Sequence, residues 1–490
     1  MEKHIKKLQT ISSPEGCITE LERLYNQSIA CQKEALQLFL KNGTRPTKKT
    51  RKNFCYPELL IIHEPERNYP RIQRAYAKMS RKGIFRTTIT QPADFKKYLW
   101  EQLHLLQQDY EVSFQVGLSE QEIPYSYVAD QDDTLFTDAV SAEDIALYFP
   151  TPDLSDIGDE VADEEYILKP GEPWPLSLFD AARTDFSLRR LTHYTGCDWR
   201  HIQPWILLTN YHRYVDQFVH WAANQLASGS EYTRLDLPGG FSISSGEDPA
   251  KISHLMTESP WHRFQMPAYH LARHDGQGIT LVNIGVGPAN AKTITDHLAV
   301  LRPHAWLMIG HCGGLRQSQS IGDYVLAHGY LRRDGILDNV LPPDIPIPAL
   351  AEVQLALGEA AAVITGQRGD ALKKRLRTGT VVTYDDRNWE LRYAQERRRI
   401  NLSRAIGVDM ESGTIAAQGY RFRVPYGTLL CISDKPLHGE IKLPGAANAF
   451  YQRSVGEHFM IGLKAIDILR GQLSSLHSRK LRSFDEPPFR

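Results

Sequence analysis

The sequence predicts an α/β protein in which a smaller α+β domain precedes a larger domain built around a sheet. The chain has 490 residues, which is more than one hydrophobic core normally fills. Its second half holds a series of apolar runs, and several end in glycines or a carboxylate before a helical pattern begins. Residues 169–175, KPGEPWP, are rich in helix and strand breakers. We therefore expect an N-terminal domain over residues 1–175 and a second domain over residues 176–490.

Composition and charge favour an ordinary globular protein without a special partner. The hydrophobic fraction is 42%, and the formal net charge of −1 creates no overall field that favours nucleic acids or acidic membranes. The six cysteines form no CxxC pair and no short-spaced cluster with histidines, so neither a zinc site nor a disulfide framework is predicted. No signal peptide and no run of about twenty apolar residues is present. We expect a protein of a reducing, cytoplasmic setting.

The first domain shows the patterns of a small α+β fold. Apolar residues recur at helical spacing over residues 18–40, and Gly43 is a typical helix stop. Residues 55–63 and 85–90 are rich in β-branched and aromatic residues, which favour strands. A second helix is expected over residues 94–110 with Asp94 as its cap. No catalytic set of residues is recognisable here, so a regulatory or assembly role is expected.

Two charged stretches of this domain allow more than one interpretation. Residues 45–52 hold five basic side chains, and more follow at Arg71, Arg74, Lys78, Arg81 and Lys82. A solvated loop is the simpler interpretation, and an anion site for a regulator is the alternative. Residues 129–165 hold thirteen acidic residues and no lysine or arginine. A solvated surface segment is the simpler interpretation there, and a magnesium site is the alternative.

The second domain opens with a predicted strand, a polar turn and a helix over residues 205–216 and beyond. A turn that opens a helix presents unpaired backbone N–H groups and the positive end of the helix dipole, which together attract anions. Arg213 stands in the first helical turn, where its guanidinium would bind a phosphate. The alternative is an ordinary strand–helix unit with a surface arginine.

Residues 278–293 predict a second strand and helix joined by a glycine turn. The segment is not a dinucleotide fingerprint, because Asn290 stands where the third glycine would be required. It is not a Walker A loop either, because Val286 and Ala291 occupy its glycine positions. The remaining interpretation is a turn in which Gly285 and Gly287 let the backbone approach a ligand closely.

Two further strand ends carry side chains suited to a site. The strand predicted over residues 305–315 ends in the turn GHCGG, and His311 is the titratable side chain there. A strand over residues 380–384 is followed by a polar loop with Arg387 and Trp389, which we expect to cover a flat ring.

Two carboxylates follow the last apolar runs of the domain. Glu411 follows the run that ends at Val408, and Asp434 ends the run 425–434. In open α/β sheets, ligands bind just outside the carboxyl ends of strands. We therefore expect both carboxylates in one pocket, where one binds a polyol and the other transfers a proton.

These segments, in this order, resemble the nucleoside phosphorylase family, which includes purine nucleoside and uridine phosphorylases and several nucleosidases. The resemblance covers about residues 205–470 and is carried by GVGP, GHCGG, DMES and the pair Ser433-Asp434. Stretches such as DDRNWELRY and SDKPLHGEIKLPG, with an extra N-terminal domain, resemble the AMP nucleosidase branch in particular. The resemblance implies a three-layer α/β domain with a mixed central sheet. It also implies cleavage of AMP to adenine and ribose 5-phosphate, in purine salvage and control of the adenylate pool.

The resemblance implies a role for each matching residue. Glu411 would accept hydrogen bonds from the ribose 2′- and 3′-hydroxyls, and Met410 would pack on the apolar face of the sugar. Asp434 would protonate N7 of the purine, which makes adenine a better leaving group. For this, Asp434 must hold a proton near neutral pH. Arg213 falls where the family places a phosphate-binding arginine.

Three positions depart from the family pattern, and the loss of an arginine and a serine at two of them favours water over phosphate as the nucleophile. Thr209 replaces a glycine, Met308 replaces an arginine of the phosphate site, and His311 replaces a serine. Without that arginine and serine the anion site is weaker, and His311 is a candidate to orient water. A phosphate-dependent purine nucleoside phosphorylase and a non-catalytic nucleotide sensor remain the alternatives.

The 5′-phosphate of AMP requires cationic side chains, and the sequence does not decide which residues supply them. Lys435, His438 and Lys442 follow Asp434 closely, and the basic tail 477–482 is the other source. The resemblance further implies a homohexamer that needs no catalytic cofactor, with Mg-ATP as activator and phosphate as inhibitor. The basic stretch 45–52 is then the candidate effector site.

Overall fold

The computed structural model describes residues 8–65, 72–129, 141–248, 254–255, 258–440 and 444–490, and of residues 444–453 only the backbone. The chain divides into two compact units, one that runs to Arg189 and includes Arg482–Arg490, and one that comprises Arg190–Leu481. This division lies later in the chain than the expected boundary at residue 175, and the end of the chain belongs to the first unit. Arg71, Lys442 and residues 130–140 of the acidic segment lie outside the described residues.

The first unit contains a five-stranded sheet with helices packed on it. Its strands stand in the order β1-β4-β2-β3-β5 and are β1 (Gln9–Ile11), β2 (Cys55–His63), β3 (Gly83–Thr88), β4 (Val112–Glu122) and β5 (Trp174–Pro175). Its helices are α1 (Pro14–Asn42), α2 (Lys48–Arg51), α3 (Lys96–Asp109), α4 (Tyr125–Ala129), α5 (Ala142–Ala146) and α6 (Ala181–Thr195), of which α6 contains the division between the units. One core cluster of this unit is formed by buried residues such as Ile18, Leu59 and Phe114.

Sequence patterns placed the elements of the first unit well and their ends less well. The long first helix begins before the apolar pattern, because Ser13 caps it by accepting a hydrogen bond from the backbone N–H of Gly16 at 3.1 Å. Gly43 ends it with a φ of 73°, as predicted. The predicted cap at Asp94 is wrong, because α3 begins after Phe95 and has no side-chain cap.

The second unit is organised around a ten-stranded sheet. Its strands stand in the order β14-β13-β12-β15-β11-β6-β10-β9-β7-β8 and are β6 (Trp205–Thr209), β7 (Tyr232–Leu237), β8 (Phe241–Ser244), β9 (Ala268–Arg273), β10 (Ile279–Asn283), β11 (Ala305–Gly314), β12 (Tyr324–Arg333), β13 (Leu376–Tyr384), β14 (Gly407–Asp409) and β15 (Tyr426–Asp434). The helices are α7 (His212–Ala227), α8 (Pro288–Leu298), α9 (Ala351–Thr365), α10 (Gly369–Arg375), α11 (Tyr393–Ser403), α12 (Ser412–Phe422), α13 (Pro444–Arg470) and α14 (Leu473–Leu476).

The sheet is mixed, as expected. Strands β10, β6, β11 and β15 run parallel to one another, whereas β15 pairs with β12 in the antiparallel direction. Every residue of β6 is buried, which is typical of a strand covered on both faces. Helices α12 and α13 both contact β11 and β15. Helix α12 packs with α8, whereas α13 packs with α7 and α9. The result is the α/β domain with a central mixed sheet that the family resemblance implies.

Strand pairing brings three strand ends together. The last residues of β11 pair with β14, with Gly313 opposite Val408 and Gly314 opposite Gly407. The same end of β11 pairs with the end of β15, where Gly313 stands opposite Asp434. This convergence positions the site. Within the described part of the chain, no helix combines the length and the apolar character that crossing a membrane requires.

Candidate active site

A cleft of about 350 Å³ opens where these strand ends meet, a volume in the range of small-ligand pockets. Six residues predicted for the site line it, namely Asp434, His311, Glu411, Met410, Arg387 and Trp389. The structure thus brings together residues that lie as far apart in the chain as His311 and Asp434. Asn210, Tyr211, Asp409 and Ser433 also line the cleft, and the sequence interpretation assigned no role to them.

Glu411 is a buried carboxylate held at both oxygens. The backbone N–H of Gly287 donates to its Oε1 at 2.7 Å, and the Nδ2 of Asn210 donates to its Oε2 at 2.8 Å. Gly287 adopts a φ of 114°, which only glycine adopts readily, so the glycine turn is needed to present this N–H. Each carboxylate oxygen accepts more than one hydrogen bond, so this arrangement orients Glu411 toward a neighbouring pair of hydroxyls.

A second buried carboxylate, Asp409, lies beside Glu411. It accepts hydrogen bonds from the hydroxyl of Thr383 at 2.6 Å and from the backbone N–H of Ser412 at 2.9 Å. Burial raises the pKa of Asp409. Burial and the charge of Asp409 raise the pKa of Glu411 to about 8. The pair therefore tends to retain a proton near neutral pH before substrate binds.

Asp434 reaches the cleft because of an irregularity in strand pairing. Cys312 stands opposite Ile432, but Gly313 stands opposite Asp434, so Ser433 is an extra residue in β15. Such a bulge re-aims side chains, and here both Ser433 and Asp434 line the cleft. The Ser433 hydroxyl donates to Asp434 Oδ1 at 2.5 Å, which orients the carboxyl group.

His311 lies between two tyrosine rings at the end of β11. The ring of Tyr211 meets it edge-on with 5.5 Å between centroids, and Tyr214 lies 5.4 Å away. Met308, the residue that replaces the family arginine, is buried in β11 and does not line the cleft. Of the two positions that depart from the family pattern in this strand, only His311 lines the cleft.

The lining also includes aromatic, apolar and cationic side chains. Trp389 is buried and stacks on Tyr384 with ring centroids 5.9 Å apart and planes 10° apart. Met410 packs in the same apolar cluster as Trp389. Arg387 is exposed at the rim. These three residues form an apolar wall with one positive charge, which suits a purine nucleotide.

Other predicted phosphate ligands are not among the residues that line the cleft. Lys435 is buried and pairs with Glu440, with 2.6 Å between Nζ and Oε1. Lys435 follows the last residue of β15 and is not among the residues that line the cleft, so nearness to Asp434 in sequence does not bring it there. Arg213 lies in the first turn of α7, with its guanidinium 5.9 Å from the centroid of Tyr211. His438 contacts the carbonyl of Leu315 at 3.3 Å.

No residue of the basic tail 477–482 is among those that line the cleft. Residues Arg479–Leu481 form a short 3-10 helix, and Arg482 pairs with Glu486 in the first unit. Among the described residues that line the cleft, Arg387 is the guanidinium group. The described residues also contain no group of three or more His, Cys, Asp or Glu arranged to hold a metal ion.

The chain is similar to known proteins along nearly its whole length. The family model described as "Bacterial AMP nucleoside phosphorylase N-terminus" matches residues 16–173, and that of the "Phosphorylase superfamily" matches residues 244–466. AMP nucleosidase of Escherichia coli (strain K12) is 55% identical over 481 residues, which cover 98% of each chain. A uridine phosphorylase of Thermococcus kodakarensis is 24% identical over 30% of this chain and 55% of its own. A solved AMP nucleosidase of Bacteroides thetaiotaomicron is 28% identical, with a TM-score of 0.42 over 59% of this chain and 98% of its own.

Proposed function

Because this chain belongs to the AMP nucleosidase family and hydrolyses AMP to adenine and ribose 5-phosphate, we propose a catalytic role for each residue of the cleft. The observation that supports the roles is that Glu411 and Asp434 line one cleft with His311 and the apolar side chains of Trp389 and Met410. In this assignment Glu411 binds the ribose, Asp434 is the general acid, and His311 stands beside the attacking water.

Glu411 is suited to the ribose because its carboxylate is already oriented. Gly287 and Asn210 each donate one hydrogen bond, one to each oxygen. The ribose 2′- and 3′-hydroxyls donate to the remaining acceptor positions, and Met410 covers the sugar. Hydrogen bonds from two hydroxyls favour the ionised form, so AMP binding draws the proton from the Asp409–Glu411 pair.

Asp434 protonates N7 while the bond between C1′ and N9 breaks. The bonding electron pair leaves with adenine, and positive charge develops on the ribose. An oxygen of water bonds to C1′, and the proton that this water loses balances the one that Asp434 has given up. The Ser433 hydroxyl, which donates to Oδ1, favours the acidic proton on the other oxygen of Asp434. Trp389 covers the purine, and Arg387 at the rim is the cationic candidate for the 5′-phosphate.

The nature of the nucleophile is tested by product analysis. The protein is incubated with AMP with and without inorganic phosphate, and the sugar product is identified. Formation of ribose 5-phosphate at the same rate with and without phosphate supports water as the nucleophile. Strict dependence on phosphate would show a phosphorylase, and AMP binding without release of adenine would show a sensor.

Asp434→Asn tests the general acid in the same assay. The amide cannot donate the acidic proton, so kcat falls by roughly 10²–10⁴-fold while AMP still binds. Glu390→Gln is the matched control, because Glu390 borders the same cleft but is exposed and has no role in the mechanism. An Asp434→Asn variant with normal kcat would remove Asp434 from the mechanism.

We also propose that Mg-ATP activates the enzyme, that phosphate inhibits it and that it assembles as a homohexamer. The first unit has a cleft of about 1290 Å³ bordered by basic side chains such as Lys48, Lys52 and Arg86 and by carboxylates such as Glu120 and Glu160. Cationic side chains that bind phosphates, beside carboxylates that bind a hydrated Mg²⁺, support an effector site there.

Rates of AMP hydrolysis with and without Mg-ATP test this effector site. Lys48→Ala should reduce the activation by Mg-ATP, whereas Lys49→Ala should not, because Lys49 does not line the cleft of the first unit. Sedimentation measures the assembly.

A further inference from the structure

A line of hydrogen bonds runs from the backbone of β15 through His458 and Tyr214 to His311. His458 on α13 is fully buried, and its Nε2 lies 3.0 Å from the carbonyl oxygen of Leu429. Its Nδ1 lies 2.6 Å from the hydroxyl oxygen of Tyr214 on α7. The same hydroxyl oxygen lies 3.4 Å from Nε2 of His311. His311 lines the cleft, whereas Tyr214 and His458 are not among its lining residues.

The protons along this line can be assigned by elimination. A carbonyl oxygen can only accept, so Nε2 of His458 must donate to Leu429. Burial lowers the pKa of His458 to about 3, so the ring is neutral and its Nδ1 carries no proton. The hydroxyl of Tyr214 must therefore donate to that Nδ1. Having one hydrogen, it accepts from His311, so Nε2 of His311 is the protonated nitrogen.

We propose that Tyr214 and His458 are positioning residues that hold His311 in the tautomer protonated at Nε2, so that its Nδ1 accepts the proton of the attacking water. This inference rests on the proposed hydrolysis. In the step, a water O–H bond breaks, its proton passes to Nδ1 and its oxygen bonds to C1′. The bond between C1′ and N9 breaks, and adenine receives at N7 the proton of Asp434. His311 then returns a proton to Asp434 or to solvent.

The surroundings of the line are aromatic. The ring of Tyr324 lies 5.4 Å from that of His458, and the ring of Tyr211 lies edge-on against His311. Such rings hold the imidazoles in place by packing, but they cannot select a tautomer. That selection requires the directional hydrogen bond from His311 to Tyr214.

The experiment combines Tyr214→Phe with direct observation of the tautomer. The substitution removes one oxygen and keeps the ring. In protein labelled with ¹⁵N-histidine, the His311 signals are assigned by their loss in His311→Gln. The wild type is expected to show protonated Nε2 and unprotonated Nδ1, and Tyr214→Phe is expected to show a tautomer mixture. For AMP hydrolysis, kcat should fall by roughly 10–100-fold with KM within about threefold.

Tyr330→Phe is the matched control, because Tyr330 is a tyrosine whose hydroxyl donates to Thr428 at 3.1 Å and which does not line the cleft. It should change neither kcat nor the tautomer. His458→Gln keeps one donor and one acceptor, so it should retain more activity than His458→Leu, and this comparison remains informative if Tyr214→Phe folds poorly.

Two results would overturn the proposal. One is a wild-type His311 protonated at Nδ1, and the other is a Tyr214→Phe variant with unchanged kcat and tautomer. Either result leaves the hydrolysis intact if the wild type still releases ribose 5-phosphate without phosphate. A wild type that releases no adenine would refute the function itself, and the tautomer measurement would still report on the hydrogen-bonded line.

Discussion

At the scale of single residues, the cleft depends on carboxylates kept away from water. Glu411 is fully buried, and its pKa of about 8 arises from burial first and from the charge of Asp409 second. A carboxylate in this state is costly to ionise without substrate and is stabilised when hydroxyls donate to it. The residue that recognises ribose is therefore also a source of pH-dependent instability in the protein without substrate.

Glu411→Gln should weaken the pH dependence of stability. The folded pKa of Glu411 lies above its unfolded value near 4.5, so folding favours the protonated form. Its stabilising contribution is full below about pH 4.5 and is lost as pH rises toward 8, at about 1.4 kcal/mol for each pH unit in that range. Gln does not titrate, and Asn210 can rotate to accept from its amide. Urea midpoints at pH 5 and pH 9 should therefore differ less in the variant than in the wild type.

The same substitution should raise KM for AMP, because an amide cannot accept from two hydroxyls as a carboxylate does. Glu390→Gln, at the exposed rim, should leave both the pH dependence and KM unchanged. Parallel pH dependences in Glu411→Gln and wild type would contradict the assignment of the raised pKa to Glu411.

At the scale of elements, β11 connects the packing of the sheet with the chemistry of the cleft. Ile309 packs under helix α13 where Gly462 leaves room, because a Cβ at 462 would lie 1.9 Å from Ile309 Cδ1. One residue later, Gly310 leaves room for the side chain of Asn210, whose Oδ1 would lie 3.0 Å from an added Cβ. His311 follows and faces the cleft. Small residues on this strand and its helix therefore set how closely the layers approach behind the site.

Gly462→Ala and Gly456→Ala should change stability in opposite directions. Both lie in α13, where alanine favours helix by about 1 kcal/mol relative to glycine. At 462 the new methyl group overlaps Ile309 in the core, which costs about 1–3 kcal/mol and outweighs that gain. At 456 the nearest atom is Gln217 Oε1 at 3.5 Å, so the helical gain remains. The denaturant midpoints of unfolding measure the stability of both variants. Equal changes of the midpoint in Gly462→Ala and Gly456→Ala would refute the close packing at Gly462.

At the scale of the whole molecule, the first unit is completed by the last residues of the chain. Phe489 is 1% exposed in the core of that unit and meets Tyr98 edge-on with centroids 6.0 Å apart. The backbone N–H of Phe489 donates to Leu176 at 3.0 Å, and the carbonyl of Pro488 accepts from Ala77 at 2.8 Å. The first unit therefore depends on a segment separated from it by the entire second unit in sequence.

Phe489→Ala should destabilise the first unit by about 3–5 kcal/mol, because it empties a filled core position. Phe484→Ala is the matched control, since Phe484 is 100% exposed and its removal leaves no cavity. Thermal unfolding of the two variants and of the wild type measures the loss of stability. A Phe489→Ala variant as stable as Phe484→Ala would contradict the placement of the chain end in this core.

The sequence predicted the strands and helices whose ends form the cleft, the family resemblance implied the mixed sheet, and six of the nine residues predicted for the site line one cleft. Apolar periodicity, glycine turns and carboxylates at strand ends are local signals, because each depends on residues a few positions apart. Asp434 and Glu411 were predicted because each ends or follows an apolar run. The same proximity argument does not extend to Lys435, which is not among the residues that line the cleft and which pairs with Glu440.

What the tertiary structure alone decided are the contacts between residues far apart in the chain. Asn210 and Gly287 hold Glu411, a bulge at Ser433 turns Asp434 into the cleft, and Tyr214 and His458 meet behind His311. The sequence by itself determined which chemical groups stand at the strand ends. Packing decided which of them face one another, because side-chain direction and hydrogen-bond partners depend on strand register and helix placement that no local pattern encodes.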